Sequence, residues 1–242
     1  MITKLIDTHF HLDYYRNHKQ VYDLINHLEQ YTICMTNSPG VYVSCRKLYQ
    51  ETEYIKFALG FHPREKSLST KDFSDFITLA NQANYIGEVG MDFSSDSYIP
   101  KMQQINYFEK IVEICARKNT IMSVHLRKSE SEAIEIIRKY SPKKCIIHWF
   151  TGSTSQLNKL IALDCYFSIN ANMIKNKSSN KKILQIPRDR ILVESDGPFT
   201  KVNGAKYSPE YLREEYSMIK DYFNSINFDD EILANFNSLL KL

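Results

Sequence analysis

Two histidines one residue apart, His9 and His11, follow the apolar residues Leu5 and Ile6 near the start of the chain. In an extended strand, residues i and i+2 project to the same side, so both imidazoles would face one point. Neutral imidazole is a common ligand of divalent metal ions. The pair is therefore a candidate for half of a metal site. Alone it would more often be a surface or core feature, so the interpretation depends on other ligands that converge on it.

Further histidines and carboxylates recur along the chain, each placed after a short apolar run. With the first pair they make up the set Asp7, His9, His11, His62, Glu88, His125, His148 and Asp196. This set holds five of the seven histidines, which chance placement would not concentrate in this way. Singly, His62, Glu88 and Asp196 would also fit a strand end, a loop carboxylate and a turn former. We interpret the other two histidines, His18 and His27, as structural or solvated.

The members of this set can share two metal ions between them. One ion can be held by His9, His11 and Asp196, and a second by His125 and His148. Glu88 has two carboxylate oxygens and can bridge both ions. Two ions about 3.5–4 Å apart can activate water and stabilise the attacking and leaving oxygens of a phosphoryl displacement. Asp196 can take a proton from that water as a general base, and Asp7 can hold a histidine N–H.

The elements that must position these residues alternate along the chain. Apolar runs predict an opening strand that leads into His9 and further strands at 32–36, 56–61, 85–87, 121–124, 145–147, 166–169 and 191–196. Helical spacing of apolar residues predicts helices at 21–30, 44–54, 72–82, 101–118, 130–140, 156–163, 209–224 and 229–240. Eight strands that alternate with helices predict parallel pairing in an α/β fold, the (β/α)8 TIM barrel. The predicted ligands then lie at the C-terminal ends of the strands, where barrel enzymes carry their active sites.

Composition narrows the class of protein. A chain of 242 residues with 43% hydrophobic and 24% charged residues predicts one globular domain, residues 1–242. The net charge of +3 permits a polyanionic partner without demanding one. Five scattered cysteines and the lack of a long apolar run predict a reduced, cytoplasmic protein that does not span a membrane. We expect the 16 tyrosines and 13 phenylalanines to lie mostly in the core and on the surface rather than to form a stacking platform.

Motifs along the whole chain resemble, in order, the TatD family of metal-dependent deoxyribonucleases, which are amidohydrolase-like barrels. They are Asp-Thr-His-Phe-His-Leu-Asp at 7–13, Leu-Gly-Phe-His-Pro at 59–63, Ile-Gly-Glu-Val-Gly-Met-Asp at 86–92, Ser-Val-His-Leu-Arg at 123–127, Ile-His-Trp-Phe-Thr-Gly-Ser at 147–153, and Asp-Arg-Ile-Leu-Val-Glu-Ser-Asp-Gly-Pro at 189–198. The ending Asn-Phe-Asn-Ser-Leu-Leu at 235–240 is similar to the family's closing helix. Each motif alone is weak, and the specificity comes from the combination.

The resemblance implies Mg²⁺-dependent hydrolysis of DNA phosphodiester bonds, often as an exonuclease from the 3′ end, with single-stranded DNA or 3′ ends as the substrate. Carried over motif by motif, it implies one ion held by His9, His11, Glu88 and Asp196, and another held by Glu88, His125 and His148. It also implies that His62 and Arg127 face the substrate phosphate, although Arg127 alone would fit a solvated cation. We therefore predict Glu88, Asp196 and His62 as the catalytic residues.

Three departures from the family pattern leave the ligands intact. Phe10 stands between the two histidines where a small residue or cysteine is common, and Trp149 follows His148 where cysteine is common. The loop 199–206 is shorter than usual and lacks the family's Arg and Asn pattern. We expect Phe10 to point away from the metals and to pack between the barrel and the helices. The compact length and Trp149 are similar to TatD-like nucleases of Qat-type anti-phage systems, which implies a role in defence or DNA repair and protein partners within a defence complex.

Basic residues cluster in the predicted loops that follow strands 3, 5, 7 and 8. They are Arg64, Lys66, Arg127, Lys128, Lys175, Lys177, Lys181, Lys182, Lys201 and Lys206. Around the site they would contact a polyanion through its backbone charge, although any one of them also fits an ordinary solvated residue. Several imidazoles favour Zn²⁺, Mn²⁺ or Co²⁺, whereas Mg²⁺ prefers oxygen ligands. We expect two divalent ions, with Mg²⁺ implied by the resemblance and the other ions binding at least as tightly.

Two other functions stay open from the sequence. An amidohydrolase-type enzyme that acts on a small C–N or ester substrate would use the same barrel, but such sites often bridge their ions through a lysine on the fourth strand, where this chain has Glu88. A non-catalytic barrel subunit of a defence complex would be favoured by the loss of a ligand, and every predicted ligand is present.

Overall fold

Nine short parallel strands run through the computed structural model, which describes residues 4–66, 68–94, 97–177 and 180–242. They are β1 (Ile6–Phe10), β2 (Tyr31–Cys34), β3 (Ile55–Phe57), β4 (Leu59–Phe61), β5 (Tyr85–Asp92), β6 (Ile121–Arg127), β7 (Cys145–His148), β8 (Tyr166–Ile169) and β9 (Ile191–Val193). Strands β1 to β3 pair in sequence order, and so do β4 to β9. All of these pairs are parallel.

The two groups of strands close into one barrel with eight strand positions. Only Ala58 separates β3 from β4, and its N–H donates to the carbonyl oxygen of Cys34 at 2.8 Å, so both segments belong to one position. On the other side, the N–H of Asp196 donates to the oxygen of His9 at 2.9 Å. The N–H of His11 donates to the oxygen of Gly197 at 2.8 Å. These bonds join β9 to β1 and confirm the predicted (β/α)8 barrel.

Helices follow the strands around the outside of the barrel. They are α1 (His18–His27), α2 (Pro39–Leu48), α3 (Thr70–Ala80), α4 (Lys101–Lys118), α5 (Glu130–Tyr140), α6 (Thr154–Ile161), α7 (Ala171–Lys175), α8 (Asn180–Ile183), α9 (Leu212–Phe223) and α10 (Phe228–Lys241). Short 3-10 turns cover Leu12–Tyr14, Arg188–Arg190 and Pro209–Tyr211, and a small hairpin pairs β10 (Lys201–Val202) with β11 (Ala205–Lys206). Among the described helices, none has both the length and the apolar character needed to cross a bilayer.

Several predicted boundaries were wrong, for local reasons. Helix α2 covers Pro39–Leu48 rather than 44–54, because the Ser38 hydroxyl accepts the N–H of Val41 and caps the helix five residues before its predicted start. The strand predicted at 56–61 is interrupted at Ala58. Strand β5 continues past Glu88 to Asp92, so Glu88 lies in the middle of the strand rather than at its end.

The apolar residues separate into an outer and an inner core. The outer core packs strand residues such as Val89 and Met91 against helix residues such as Phe108 and Ile111, all nearly fully buried. The inner core contains the first residues of several strands, including Ile6 and Tyr166, together with side chains of α10. Helix α10 therefore covers the N-terminal end of the barrel and leaves the C-terminal end to polar residues. All five cysteines are buried free thiols.

A buried carboxylate, Glu215 of α9, joins the C-terminal part of the chain to the barrel. Its Oε1 accepts the N–H of Ala171 at 2.6 Å, and its Oε2 has no hydrogen-bond partner within the described residues. Burial raises the pKa of Glu215 to about 8, against the opposing effect of the Ala171 N–H. The folded protein therefore favours the neutral form of this side chain.

We predict that Glu215→Gln flattens the dependence of stability on pH. The folded pKa exceeds the unfolded value, so the contribution of Glu215 is full below about pH 4.5 and is lost as the pH rises through about 8. The free energy of unfolding of the Gln variant minus that of the wild type should increase by roughly 2–4 kcal/mol from pH 5 to pH 8.5. Urea denaturation at both pH values measures this difference. The exposed neighbour provides the control Glu214→Gln, and equal pH slopes for the wild type and Glu215→Gln would contradict the prediction.

Candidate metal centre

The predicted ligands converge at the C-terminal end of the barrel. They line a cavity of about 480 Å³ or lie buried at its floor, within the usual size range of small-molecule sites. Strand β1 carries His9, and the residue just after it is His11. His62 follows β4, Glu88 lies within β5, His125 lies within β6, His148 ends β7, and Asp196 follows β9. The pairing register places His125 directly beside His148 on neighbouring strands.

The first group of ligand atoms contains both histidines of the opening motif. The Nε2 atoms of His9 and His11 lie 3.1 Å apart, as their i, i+2 spacing predicted. The Oδ1 atom of Asp196 lies 3.8 Å from the first and 3.6 Å from the second. These three buried side chains form one of the groups whose geometry could hold a metal ion.

The Glu88 carboxylate divides its two oxygens between different imidazoles. Its Oε2 lies 3.5 Å from His9 Nε2 and 3.3 Å from His11 Nε2. Its Oε1 lies 3.0 Å from His125 Nδ1 and 3.9 Å from His148 Nε2. His62 Nε2 is also close to Oε1, at 3.2 Å. One carboxylate therefore connects all of the predicted histidines.

Three polar side chains that sequence reasoning did not assign hold the outer nitrogens of these imidazoles. Ser123 Oγ lies 2.9 Å from His9 Nδ1, Asp92 Oδ2 lies 3.2 Å from His125 Nε2, and Glu194 Oε2 lies 2.7 Å from His148 Nδ1. In a neutral ring, an oxygen acceptor at the outer nitrogen holds the single proton there, so the inner nitrogen can ligate a metal. A signal was present, because Ser123 precedes His125 by two residues and Glu194 precedes Asp196 by two, the spacing that shares a face in a strand.

His62 has the opposite arrangement. Its Nδ1 accepts the backbone N–H of Arg64 at 3.2 Å, so the neutral ring carries its proton on Nε2. Burial lowers the pKa of His62, which favours this neutral ring despite the nearby Glu88. A protonated Nε2 donates a hydrogen bond and cannot ligate a metal. His62 thus differs from the other histidines around Glu88.

Asp7 does not hold a histidine ring, contrary to the prediction. Its Oδ1 accepts the backbone N–H groups of His9 at 3.2 Å and Ser195 at 2.9 Å, and its Oδ2 accepts the Ser195 hydroxyl at 2.5 Å. In a strand, Asp7 and His9 project to the same face, but the ring of His9 extends toward the centre and leaves Asp7 to the neighbouring backbone. Asp7 joins β1 to the segment after β9 and so sets the position of Asp196.

The charges of the centre depend on one another. Burial opposes the ionisation of Glu88, but the imidazoles of His62, His11 and His125 outweigh it and hold the pKa of Glu88 well below its usual range. Burial raises the pKa of Asp196 to about 7. Burial alone would lower the pKa of His148, yet the Glu194 carboxylate raises it to about 10. Buried carboxylates therefore accumulate here, and positive charge close to them stabilises the site.

Two glycines of the predicted motifs allow neighbouring backbone segments to pack closely against each other. A Cβ atom on Gly90 would lie 2.0 Å from the carbonyl oxygen of His125, and one on Gly60 would lie 1.5 Å from that of Thr36. No side chain fits in either place. The backbone of Glu88 also donates its N–H to Thr36 at 2.9 Å, so this close packing sets the position of the carboxylate.

The donor set fits divalent metal ions. Two ligands of one ion, each about 2.1 Å from it, lie roughly 3–3.5 Å apart, close to the spacings between the histidine nitrogens and the Glu88 oxygens. The described residues contain three groups with ligand atoms within 4.8 Å of one another, His9–His11–Asp196, His9–Glu88–His148 and His62–Glu88–His125. The proton on His62 Nε2 argues against ligation by that residue in the third group.

The rim of the cavity combines cationic and aromatic side chains. Arg127, predicted to face the phosphate, is exposed there, and Arg64 lies nearby with its Nε 3.8 Å from Asp92 Oδ2. Trp149, one of the departures from the family pattern, also lines the cavity. Phe10, another departure, is fully buried against Tyr15, with ring centroids 5.2 Å apart, so it packs away from the ligands as predicted.

Two curated proteins are similar to this chain in sequence. An uncharacterized metal-dependent hydrolase of Buchnera aphidicola is 27% identical over 247 aligned residues, which cover 90% of this chain and 92% of that protein. The deoxyribonuclease Tat-D of Schizosaccharomyces pombe is 28% identical, over 52% of this chain and 42% of that protein. Both proteins are similar to this chain at an identity too low to transfer individual residue roles.

A solved structure and a family profile cover the whole barrel. The crystal structure of the TatD homolog YJJV from Escherichia coli K12 covers 100% of both chains with a TM-score of 0.87 and 17% identity, which establishes the shared fold. The sequence profile described as TatD related DNase matches residues 6–241. That match includes every ligand of the candidate centre. The chain therefore belongs to the family of TatD-related DNases, a family of hydrolases.

Proposed function

We propose that this chain hydrolyses DNA phosphodiester bonds at a centre of two divalent metal ions, acting as a 3′–5′ exonuclease. The division of the Glu88 carboxylate between two sets of imidazoles carries the proposal, because one residue can then serve both ions. His9, His11 and Asp196 would complete one ligand set, and His125 and His148 the other. Bound ions would supply positive charge to neutralise the phosphate and to make a water molecule more acidic.

Three side chains of the site would supply a proton acceptor, a hydrogen-bond donor and a cation. The Asp196 carboxylate faces the cavity and can accept a proton from the attacking water. His62 can donate its Nε2–H to a phosphate oxygen, because the N–H of Arg64 holds the other ring nitrogen. Arg127 offers a guanidinium at the rim, which suits a phosphate group. These assignments make Glu88, Asp196 and His62 the catalytic residues that we propose.

Metal choice follows from the donors. Imidazole nitrogens favour Mn²⁺, Zn²⁺ and Co²⁺, and the carboxylates also accept Mg²⁺. We propose Mg²⁺ as the working ion, with the others able to replace it. With buried free cysteines and no bilayer-spanning helix among the described residues, we expect the enzyme to act in the cytoplasm. A role in anti-phage defence or DNA repair, with protein partners, stays a prediction.

The main test is cleavage of 3′-labelled DNA. We expect purified protein with Mg²⁺ or Mn²⁺ to shorten the strand from its 3′ end, and Glu88→Gln to reduce the rate at least ~100-fold, because it loses the shared ligand. Glu65→Gln, at the rim of the same cavity, is the matched control. Equal activity of wild type and Glu88→Gln would refute the site. Hydrolysis of a small ester or amide but not of DNA would favour the alternative hydrolase.

We predict that Glu194→Gln weakens metal binding without unfolding the protein. Glu194 is fully buried, accepts from His148 Nδ1 and from Asn170 Nδ2 at 2.9 Å, and orients the His148 ring with its inner nitrogen toward Glu88. Loss of such a partner lowers metal affinity about 10–100-fold. Calorimetric titration with Mn²⁺ measures the affinity, and circular dichroism verifies the fold. The exposed carboxylate Glu210 provides the control Glu210→Gln, and an unchanged affinity in Glu194→Gln would contradict the role.

Lysines after β8 should contribute to DNA binding through charge. Lys175, Lys177 and Lys181 are exposed there, whereas Lys182 donates to the carbonyl of Gly152 at 2.6 Å and is better left intact. We predict that changing the three exposed lysines to glutamine weakens DNA binding and reduces the slope of log K against log salt by up to about 2.

Fluorescence anisotropy with labelled DNA at several salt concentrations measures that slope. The control changes Lys71, Lys110 and Lys139 to glutamine, an equal loss of charge on helices α3, α4 and α5. An unchanged slope in the first variant, or an equal change in the control, would refute a specific DNA path over the loop after β8.

A further inference from the structure

Two exposed aromatic rings stand at the mouth of the candidate metal centre. Tyr14 is 41% exposed and Phe199 is 53% exposed, and both line the cavity. Their ring centroids lie 4.8 Å apart at an interplanar angle of 67°. Each ring also contacts His11, with centroid distances of 5.6 Å for Tyr14 and 5.2 Å for Phe199. Both rings are therefore in direct contact with a predicted metal ligand.

Local contacts hold this pair in place. The Tyr14 hydroxyl accepts a hydrogen bond from Asn37 Nδ2 at 2.9 Å. The N–H of Phe199 donates to the carbonyl oxygen of Asp196 at 2.8 Å, which closes the turn after the ligand. Large apolar groups that stay exposed beside a reactive centre mark a binding surface, because burying them on a ligand is favourable. The ligand that they bind must reach the metal centre at the same time.

The opposite wall of the cavity is cationic. Tyr14 follows the first barrel strand and Phe199 follows the eighth, which is its neighbour, whereas Arg127 is the last residue of β6 in the fifth position. In a barrel of eight strands, the first and fifth positions face each other across the centre. One wall thus suits a π face and the other suits an anion. A nucleotide has these two parts, a flat base and a phosphate.

We propose that Tyr14 and Phe199 form a stacking platform for an unpaired nucleobase next to the phosphate that is cleaved. This proposal rests on the proposed DNase function and specifies its substrate. A base inside a duplex is already stacked and paired, so it reaches the platform only after it leaves the helix. Phe199 and Tyr14 thus set the preference for single-stranded DNA or 3′ ends that the family resemblance implies. This differs from the expectation, based on composition, that the aromatic residues form no stacking platform.

The test compares intact and abasic single strands as substrates. Short strands carry one tetrahydrofuran abasic residue, placed in turn at each position, and kcat/KM is measured with Mn²⁺. At one position near the scissile bond, loss of the base should lower kcat/KM for the wild type about 5- to 100-fold, the range found for one stacked base. Phe199→Ala should show a similar loss on the intact strand and no further loss on the abasic one. The lower kcat/KM should result from a higher KM with kcat unchanged, because the base stacks on the platform equally in the ground state and in the transition state.

Matched variants separate stacking from simple packing. Phe199→Tyr keeps a ring and should retain the preference for the intact strand, whereas Phe199→Leu keeps apolar bulk and should lose it. A three-nucleotide overhang should be cut faster than a blunt duplex by the wild type and not by Phe199→Ala. Equal cleavage of intact and abasic strands by the wild type would overturn the platform and leave the DNase function standing. Failure to cleave any strand would instead refute the DNase function.

Discussion

The buried carboxylate of Glu88 is the constraint on which the site depends. It is 5% exposed, and imidazoles surround both of its oxygens. An ionised carboxylate at that depth is stable only with positive charge or hydrogen-bond donors around it, because burial removes its hydration. The surrounding histidines satisfy this condition in part, and their own charge depends on protonation. Metal ions satisfy the same condition without depending on pH in this way, which explains why the centre combines carboxylates with imidazoles.

That constraint extends outward to the rest of the barrel. The inner nitrogens of His9, His125 and His148 face Glu88 because Ser123, Asp92 and Glu194 hold the outer ones. Those three residues lie on β6, at the end of β5 and just after β9, so the barrel strands supply both the ligands and the groups that orient them. Asp7 ties the first strand to the last through Ser195 rather than through a ring. The barrel closure and the ligand geometry therefore depend on the same hydrogen bonds.

The loops give the site its substrate surface. The segment after Asp196 is short and folds into the β10–β11 hairpin, which leaves Phe199 exposed at the mouth beside Tyr14. On the other wall, the loop after β4 brings Arg64 to the rim and the end of β6 brings Arg127 there. A divided rim of this kind accommodates a ligand with an anionic and an aromatic part. The proposed metal ligands could act on many substrates. In our proposal, the rim restricts the substrates to those with an unpaired nucleotide.

Sequence patterns alone were enough to predict the barrel and the residues that we propose as ligands. Strand alternation is a local property, so the i, i+2 pair His9 and His11 could be recognised from spacing, and repeated strand and helix patterns predicted parallel closure. The folded chain was needed to show which nitrogen of each histidine faces the centre, that Glu88 divides its oxygens, and that Asp7 accepts hydrogen bonds from Ser195. Those features depend on distances across the barrel, which register and side-chain packing set and which no local pattern encodes. For the same reason Tyr14 and Phe199, far apart in the chain, were recognised as a pair only when closure brought the first and last strands together.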